Sequence, residues 1–176
     1  MSTTNVAIGI KAILVFAHGL WMVLIIIQNL TDRGTNRSLI VKVATMQELK
    51  EDPILGNGLQ WRAVAPDRAD GFASLALRLV VLLQVLTAIP LVVGGVMIAG
   101  SLGSGGPRLD DATAVAGIGV LLLVVHWFVL LCGGLWFGYW MKMPTVQQVH
   151  MTMLGVAVLL ALVLFAVPPI PGLVAP

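Results

Sequence analysis

The sequence predicts an all-α membrane protein with four transmembrane helices and a long structured connection between the first and second. Three observations carry that reading. Apolar residues make up 59% of the 176 and charged residues only 10%, with a mean hydropathy of +1.00, whereas a soluble domain needs roughly 25% charged residues to face water. Four windows of about 20 residues or more are nearly free of charge, the length a helix needs to cross a hydrocarbon layer roughly 30 Å thick. All eight acidic residues fall outside those windows. Lipid is therefore part of the solvent.

The first window, about 7–30, carries Lys11 near its start and His18 inside. Its apolar run is longer than the roughly 7 to 15 residues of a signal-peptide core, and no small-x-small cleavage site precedes Gln28, so it reads as a retained helix. The second, about 72–100, has Arg78 near its start, Gln84, and Pro90, whose missing N–H predicts a kink. The third, about 112–141, holds His126 as its one ionisable group. The fourth, about 148–167, stops at Pro168 and Pro169. The whole chain, 1–176, reads as a single four-helix domain.

Between the first two windows lies the polar connection 31–71. Arg33, Arg37, Lys42, Lys50, Arg62 and Arg68 are balanced there by Asp32, Glu48, Glu51, Asp52, Asp67 and Asp70. Leu39, Ile40, Val43 and Met46 recur at helical spacing, which predicts a short helix lying on the membrane surface or the bundle, with Ser38 as its N-cap. The second connection, with Gly103, Gly105, Gly106 and Pro107, reads as a flexible turn; the third, about 142–147, is short. No internal repeat is evident, which removes support for an inverted-repeat transporter.

The inventory of chemistry is mostly negative. A net charge of +2 supplies no basic face for nucleic acid, and a single cysteine, Cys132, excludes an internal disulfide and a multi-cysteine metal site. Proton-coupled transporters rely on carboxylates at membrane depth, and none is present. Neither a phosphate-cradling glycine loop, nor a metalloprotease HExxH, nor a nucleophile elbow occurs. The reading is noncatalytic, with no catalytic and no metal-binding residue.

His18 and His126 fall on helices that run in the same direction, which predicts similar depth near mid-membrane. Two such imidazoles fit either a b-type haem held between them, with Gly19 and Gly133 making room, or separate hydrogen bonds to neighbouring helices. The second is favoured, because Lys11 and Arg78, the nearest partners for propionates, lie toward opposite faces; the expectation is no cofactor, with haem b as the alternative. His150, at the mouth of the fourth helix, reads as interfacial. Gly94, Gly95, Ala99, Gly117 and Gly119, and the GxxxG pair Gly134 and Gly138, predict close helix packing within the bundle or against another subunit. Trp136, Phe137, Tyr139 and Trp140 fit an interfacial aromatic belt. They also fit a cluster with Trp61, Arg62 and Asp32, since both connections emerge on one side. Asp32, Trp61, Arg62, Gly134, Trp136, Gly138 and Trp140 are the candidate interaction or packing residues.

Asn29-Leu30-Thr31-Asp32, then Gly34-Thr35-Asn36, Met46, Trp61-Arg62-Ala63, Gly133-Gly134, Trp136-Phe137 and Trp140 together resemble an uncharacterised bacterial family of predicted small integral membrane proteins, a domain of unknown function. Where that family carries an acidic residue after its second glycine this chain has Leu135, and where the family has a polar tail it has Met141-Lys142-Met143-Pro144. The resemblance implies four helices, cytoplasmic termini and a long outer loop, and it implies no activity. His18 and His126 are not part of the pattern.

The function expected is that of an accessory or anchor subunit of a larger complex in the bacterial cytoplasmic membrane, with lipid and other membrane subunits as partners. A haem electron carrier using His18 and His126 comes second and a small-solute transporter third. Lys and Arg counts alone would put 31–71 in the cytoplasm, but its equal acidic charge leaves that bias weak, and the resemblance decides for the outside. In a Cys132→Ser background, a membrane-impermeant thiol reagent applied to cells is expected to label Ser38→Cys and not Ser104→Cys. Labelling at Ser104→Cys alone reverses the orientation.

Overall fold

Prolines open three of the four long helices in the computed structural model, which describes residues 3–102 and 107–165. α1 is Thr3–Thr31, α2 Arg33–Ala44, α3 Gln47–Lys50, α4 Pro66–Gly100, α5 Pro107–Trp136 and α6 Pro144–Phe165. A proline at the first helical position has its φ preset, and its missing N–H would have been unpaired there anyway. Asp67 in α4 and Asp110 in α5 add an acidic group to the positive end of the dipole. These starts lie at 66, 107 and 144 rather than near 72, 112 and 148, because the helices begin at their capping chemistry rather than where the apolar run begins. α4 continues unbroken through Pro90. α5 ends at Trp136 rather than near 141 because Gly138 adopts the left-handed conformation, φ 64°, that terminates helices. Gly103, Ser104, Gly105, Gly106 and the stop at Pro168 and Pro169 lie outside the described residues.

Between α1 and α4 the chain forms α2, α3 and a 3₁₀ turn, Asn57–Arg62. The cap of α2 is Asp32, not Ser38: the Asp32 carboxylate accepts from the Thr35 N–H at 3.2 Å, while the Ser38 hydroxyl sits inside the helix and donates to the Thr35 carbonyl at 2.8 Å. Of the four apolar positions predicted for this helix, Ile40 and Val43 are half-buried and Leu39 is exposed; Met46 is buried and lies beyond α2 at φ 53°. That is an uncommon backbone for a residue with a Cβ, occupied where the chain reverses into α3.

α1 packs along α4, α4 along α5 and α5 along α6, while α2 lies on α4. Arg37 pairs with Asp70 at 3.1 Å, and the Val64 N–H donates to the Ala44 carbonyl at 2.8 Å. At the opposite end the Lys11 ammonium donates to the Leu164 carbonyl at 3.1 Å, placing a cation at the negative end of α6. The buried core draws on all four long helices: Val15 and Met22 from α1, Leu91 and Ile98 from α4, Val120 and Leu123 from α5, and Leu160 and Leu164 from α6. Leu24, Ile89, Leu121, Leu159 and other large apolar side chains face outward, as a lipid-facing surface requires. Among the described residues there is no strand. This is an all-α membrane protein with four candidate spans.

Glycines set the helix spacing. A Cβ on Gly94 would lie 2.6 Å from the backbone of Ala116 in α5, and one on Gly95 would lie 2.8 Å from the backbone of Phe16 in α1. Gly19 meets Val92, and Gly119 meets Leu91, equally closely. The neighbours Gly94 and Gly95 thus admit one helix on each side of α4. Gly94→Ala is expected to lower unfolding free energy by about 1–3 kcal/mol through overpacking. Gly133→Ala, whose Cβ would meet nothing within 4 Å, should change it by less than about 0.5 kcal/mol. Unfolding in mixed detergent micelles measures both, and equal values would remove this account of the spacing.

Candidate functional site

The loop-side end of the bundle gathers most of the polar and aromatic side chains singled out in the sequence. Asn29, near the end of α1, is buried. Its Nδ2 donates to Gln84 Oε1 in α4 at 2.8 Å, and its Oδ1 accepts from Asn36 Nδ2 in α2 at 2.7 Å. Three amides therefore join three helices. An amide in an apolar setting costs several kcal/mol if left unpaired, so the network holds α1, α2 and α4 in one register.

Arg62 forms the second fastening. Its guanidinium carbon lies 5.2 Å from the Trp61 ring centre and 4.8 Å from that of Trp136, and Nη1 donates to the Trp136 carbonyl at 3.3 Å. That carbonyl belongs to the last turn of α5, where helical partners run out. The two indoles meet edge to face at 5.9 Å, as do Phe72 and Phe137. The structure thus brings Trp61, Arg62 and Trp136 together. It does not place Asp32 with them, because that carboxylate is engaged as the α2 cap; Trp140 is exposed and makes no ring contact among the described residues.

Gly134 and Gly138 do not form a helix-packing face, since α5 stops between them. Each serves a local approach instead. A Cβ on Gly134 would run into the Tyr139 ring, and one on Gly138 would press on Met141, Leu49 and Leu59.

The third fastening was not legible as a pair. Asp52 Oδ2 accepts from Lys142 Nζ at 2.6 Å, while Oδ1 accepts the N–H groups of Ile54 and Leu55 at 2.9 and 2.8 Å. The Lys142 ammonium and the two amides hold the Asp52 carboxyl well below its usual range, at about 2. Lys42 and Glu48 pair beside it at 2.5 Å.

From this layer a file of rings enters the bundle. The Tyr139 hydroxyl and His150 Nδ1 share a hydrogen bond of 3.1 Å, and burial pushes the Tyr139 phenol up from its ordinary value. His150 lies 6.0 Å from Trp127, which stacks on Trp21 at 6.1 Å; Trp21 in turn meets His18 edge-on at 6.2 Å. His126 lies 4.9 Å from Trp127. The His18 Nδ1–H donates to the Leu14 carbonyl at 2.7 Å. His126 is 1% exposed, and neither of its ring nitrogens has a hydrogen-bond partner among the described residues. Ring contacts link the two histidines through Trp21 and Trp127 and not directly. His150, read from sequence as interfacial, is half-buried in this file; its spacing from Tyr139 spans the turn and gave no periodic signal.

Four lipid-facing helices closed at one end by a polar layer define an integral membrane protein. Residues 8–168 match the family described as predicted small integral membrane protein (DUF2165), and the chain belongs to that family. No curated protein and no solved structure matches it.

A carboxyl depressed in the folded state stabilises above its unfolded value, near 4, and that contribution is lost as pH falls toward 2. Protection of the Ile54 and Leu55 amides from hydrogen exchange, corrected for the intrinsic rate, is therefore expected to fall between about pH 4 and pH 2. Asp52→Asn should show low protection and no step in that window; a step that persists in the variant assigns it to another group.

Proposed function

We propose that this protein is a noncatalytic accessory or anchor subunit of a larger membrane complex, and that its loop-side layer is the surface that meets the partner. The observation that carries this reading is a layer held rigidly yet turned outward. Ile54 is 82% exposed and Trp61 71% exposed, with Leu55 beside Ile54, while the amide network, the Arg62 clamp and the Asp52–Lys142 pair fix the backbone beneath them. Preorganised aromatic and arginine side chains are the usual anchors of protein interfaces. Gly19, Gly94, Gly95 and Gly119 give no support for a partner, because they face helices of the same chain. In this reading the protein sits in a bacterial inner membrane with its termini in the cytoplasm.

A photo-crosslinking side chain at position 54 or 61, activated in cells, is expected to give a discrete protein adduct. The same group at lipid-facing position 89 should give none. Lipid adducts alone at all three positions would defeat the proposal.

The second reading, a b-type haem on His18 and His126, draws on the unpartnered nitrogens of His126. It requires a Soret band in the purified protein that disappears in both His18→Ala and His126→Ala. An absorption spectrum without that band removes it.

A further inference from the structure

We propose that His126 and His150 form a proton-accepting site inside the membrane that opens to water on the loop side alone, through Tyr139. This is independent of the accessory-subunit reading. No carboxylate lies in the apolar windows, and an ionisable group at membrane depth is the usual mark of function. A buried imidazole in a purely structural role has its donor and acceptor satisfied. His126 has neither satisfied.

The entry route is built from groups that both give and take a proton. A cavity of about 20 Å³ is lined by Tyr139, Lys42, Glu48 and Lys142, among others, and about 10–15 Å³ is enough for one water. Tyr139 lines that cavity, and its hydroxyl shares a hydrogen bond of 3.1 Å with His150 Nδ1. His150 and His126 lie against the same indole, at 6.0 and 4.9 Å from Trp127. His150 stands about 9 Å into α6 and His126 about 15 Å from the loop-side end of α5, at 1.5 Å per residue. The path therefore descends into the bundle.

In the transfer, the Tyr139 oxygen takes a proton from water in the cavity as its hydroxyl proton passes to His150 Nδ1. His150 then releases the proton carried on Nε2 to His126 through a relaying water, because no hydrogen bond joins the two rings directly. The net change is one hydrated proton consumed and one imidazolium formed on His126, with His150 left as its other neutral tautomer and nothing oxidised or reduced. On the far side the route closes, because Leu123, Val120, Leu91, Leu160 and Leu164 are buried, apolar and part of one packed core.

The groups that face His126 are few. α6 brings His150 and the turn brings Tyr139. α1 brings His18, bonded to Leu14, and Lys11, held at the Leu164 carbonyl at the opposite end. α4 turns Gln84 and Thr87 inward, neither of which titrates, and keeps Arg78 exposed. No anion is at hand to neutralise an imidazolium, so its charge would act on the packing around it.

Full-length protein labelled with ¹⁵N-histidine in lipid bilayers tests this. On acidification from pH 8 to pH 4 the ring nitrogens of His150 and His126 are expected to move to imidazolium positions. In Tyr139→Phe, N–H exchange at both rings should slow by about tenfold or more while His18 is unchanged. A second readout needs no substitution at Tyr139. In oriented proteoliposomes, a pH drop on the loop side should quench the tryptophan emission that His126→Gln loses, and a drop on the other side should leave it constant. A His126 signal that stays neutral throughout, exchange unaltered in Tyr139→Phe, or an equal response from both sides overturns the proposal.

Discussion

How closely α1 and α5 approach α4 is decided at two adjacent residues, Gly94 and Gly95, and the loop-side architecture follows from that spacing. Inside a bilayer, lipid tails are as apolar as the helices, so no hydrophobic push drives helix to helix. What remains is dispersion, which fades within a fraction of an ångström of separation, together with the few polar contacts that close approach permits. Because Gly94 admits Ala116 and Gly95 admits Phe16, both neighbours come within backbone contact of the same turn of α4. That proximity brings the Asn29 amide, about three and a half turns beyond Phe16 along α1, within 2.8 Å of Gln84.

The loop-side layer follows a different rule. Near the water interface an ion pair or a guanidinium is cheap to solvate and gains little as a lone contact. Fastening there depends on several contacts acting on one short segment. Arg37 with Asp70, Arg62 with the end of α5 and Lys142 with Asp52 pin α2, the 3₁₀ turn and the residues between to three different places on the bundle. Several residues of the family pattern lie on these fastenings: Asn29 and Asn36 in the amide network, Asp32 at the α2 cap, and Trp61, Arg62 and Trp136 in the clamp. At these positions the pattern coincides with the contacts that hold the layer on the bundle.

This explains what was legible in the sequence. Hydropathy located the four spans because lipid tolerates little charge. The helices extend past the apolar windows at Pro66, Pro107 and Pro144, and α5 stops short at Gly138, because those residues act through backbone dihedrals that hydropathy does not register. Trp61, Arg62 and Trp136 could be associated because an even number of spans brings both connections to one side. Asp32 shares that side of the membrane with the cluster, but its position directly before α2 makes capping the stronger demand. Gly134 and Gly138 had the spacing of a packing face, yet the second glycine ended the helix that the face required. His18 and His126 were correctly placed on helices that run in the same direction, but periodicity carries no azimuth. α4 packs on both α1 and α5, and the two rings make contact only through tryptophans.

The buried polar groups of the bundle then separate into two kinds. Asn29 and Gln84 sit in an environment that penalises unpaired amides, and each has its partner. Lys11 lies within an apolar helix and its ammonium reaches the end of another. Thr87 returns its hydroxyl to the Leu83 carbonyl at 2.7 Å. Against this pairing stand the Thr4 hydroxyl, Arg62 Nε and both ring nitrogens of His126, which have no partner among the described residues; His126 is more deeply buried than Asn29 and is the one ring with neither nitrogen bonded. Its surroundings are aromatic and aliphatic, so a leucine of similar volume would satisfy them without the polar cost. The packing alone therefore gives no reason for a histidine at position 126. What an imidazole adds to that packing and a leucine does not is a group able to take up a proton, the role proposed above.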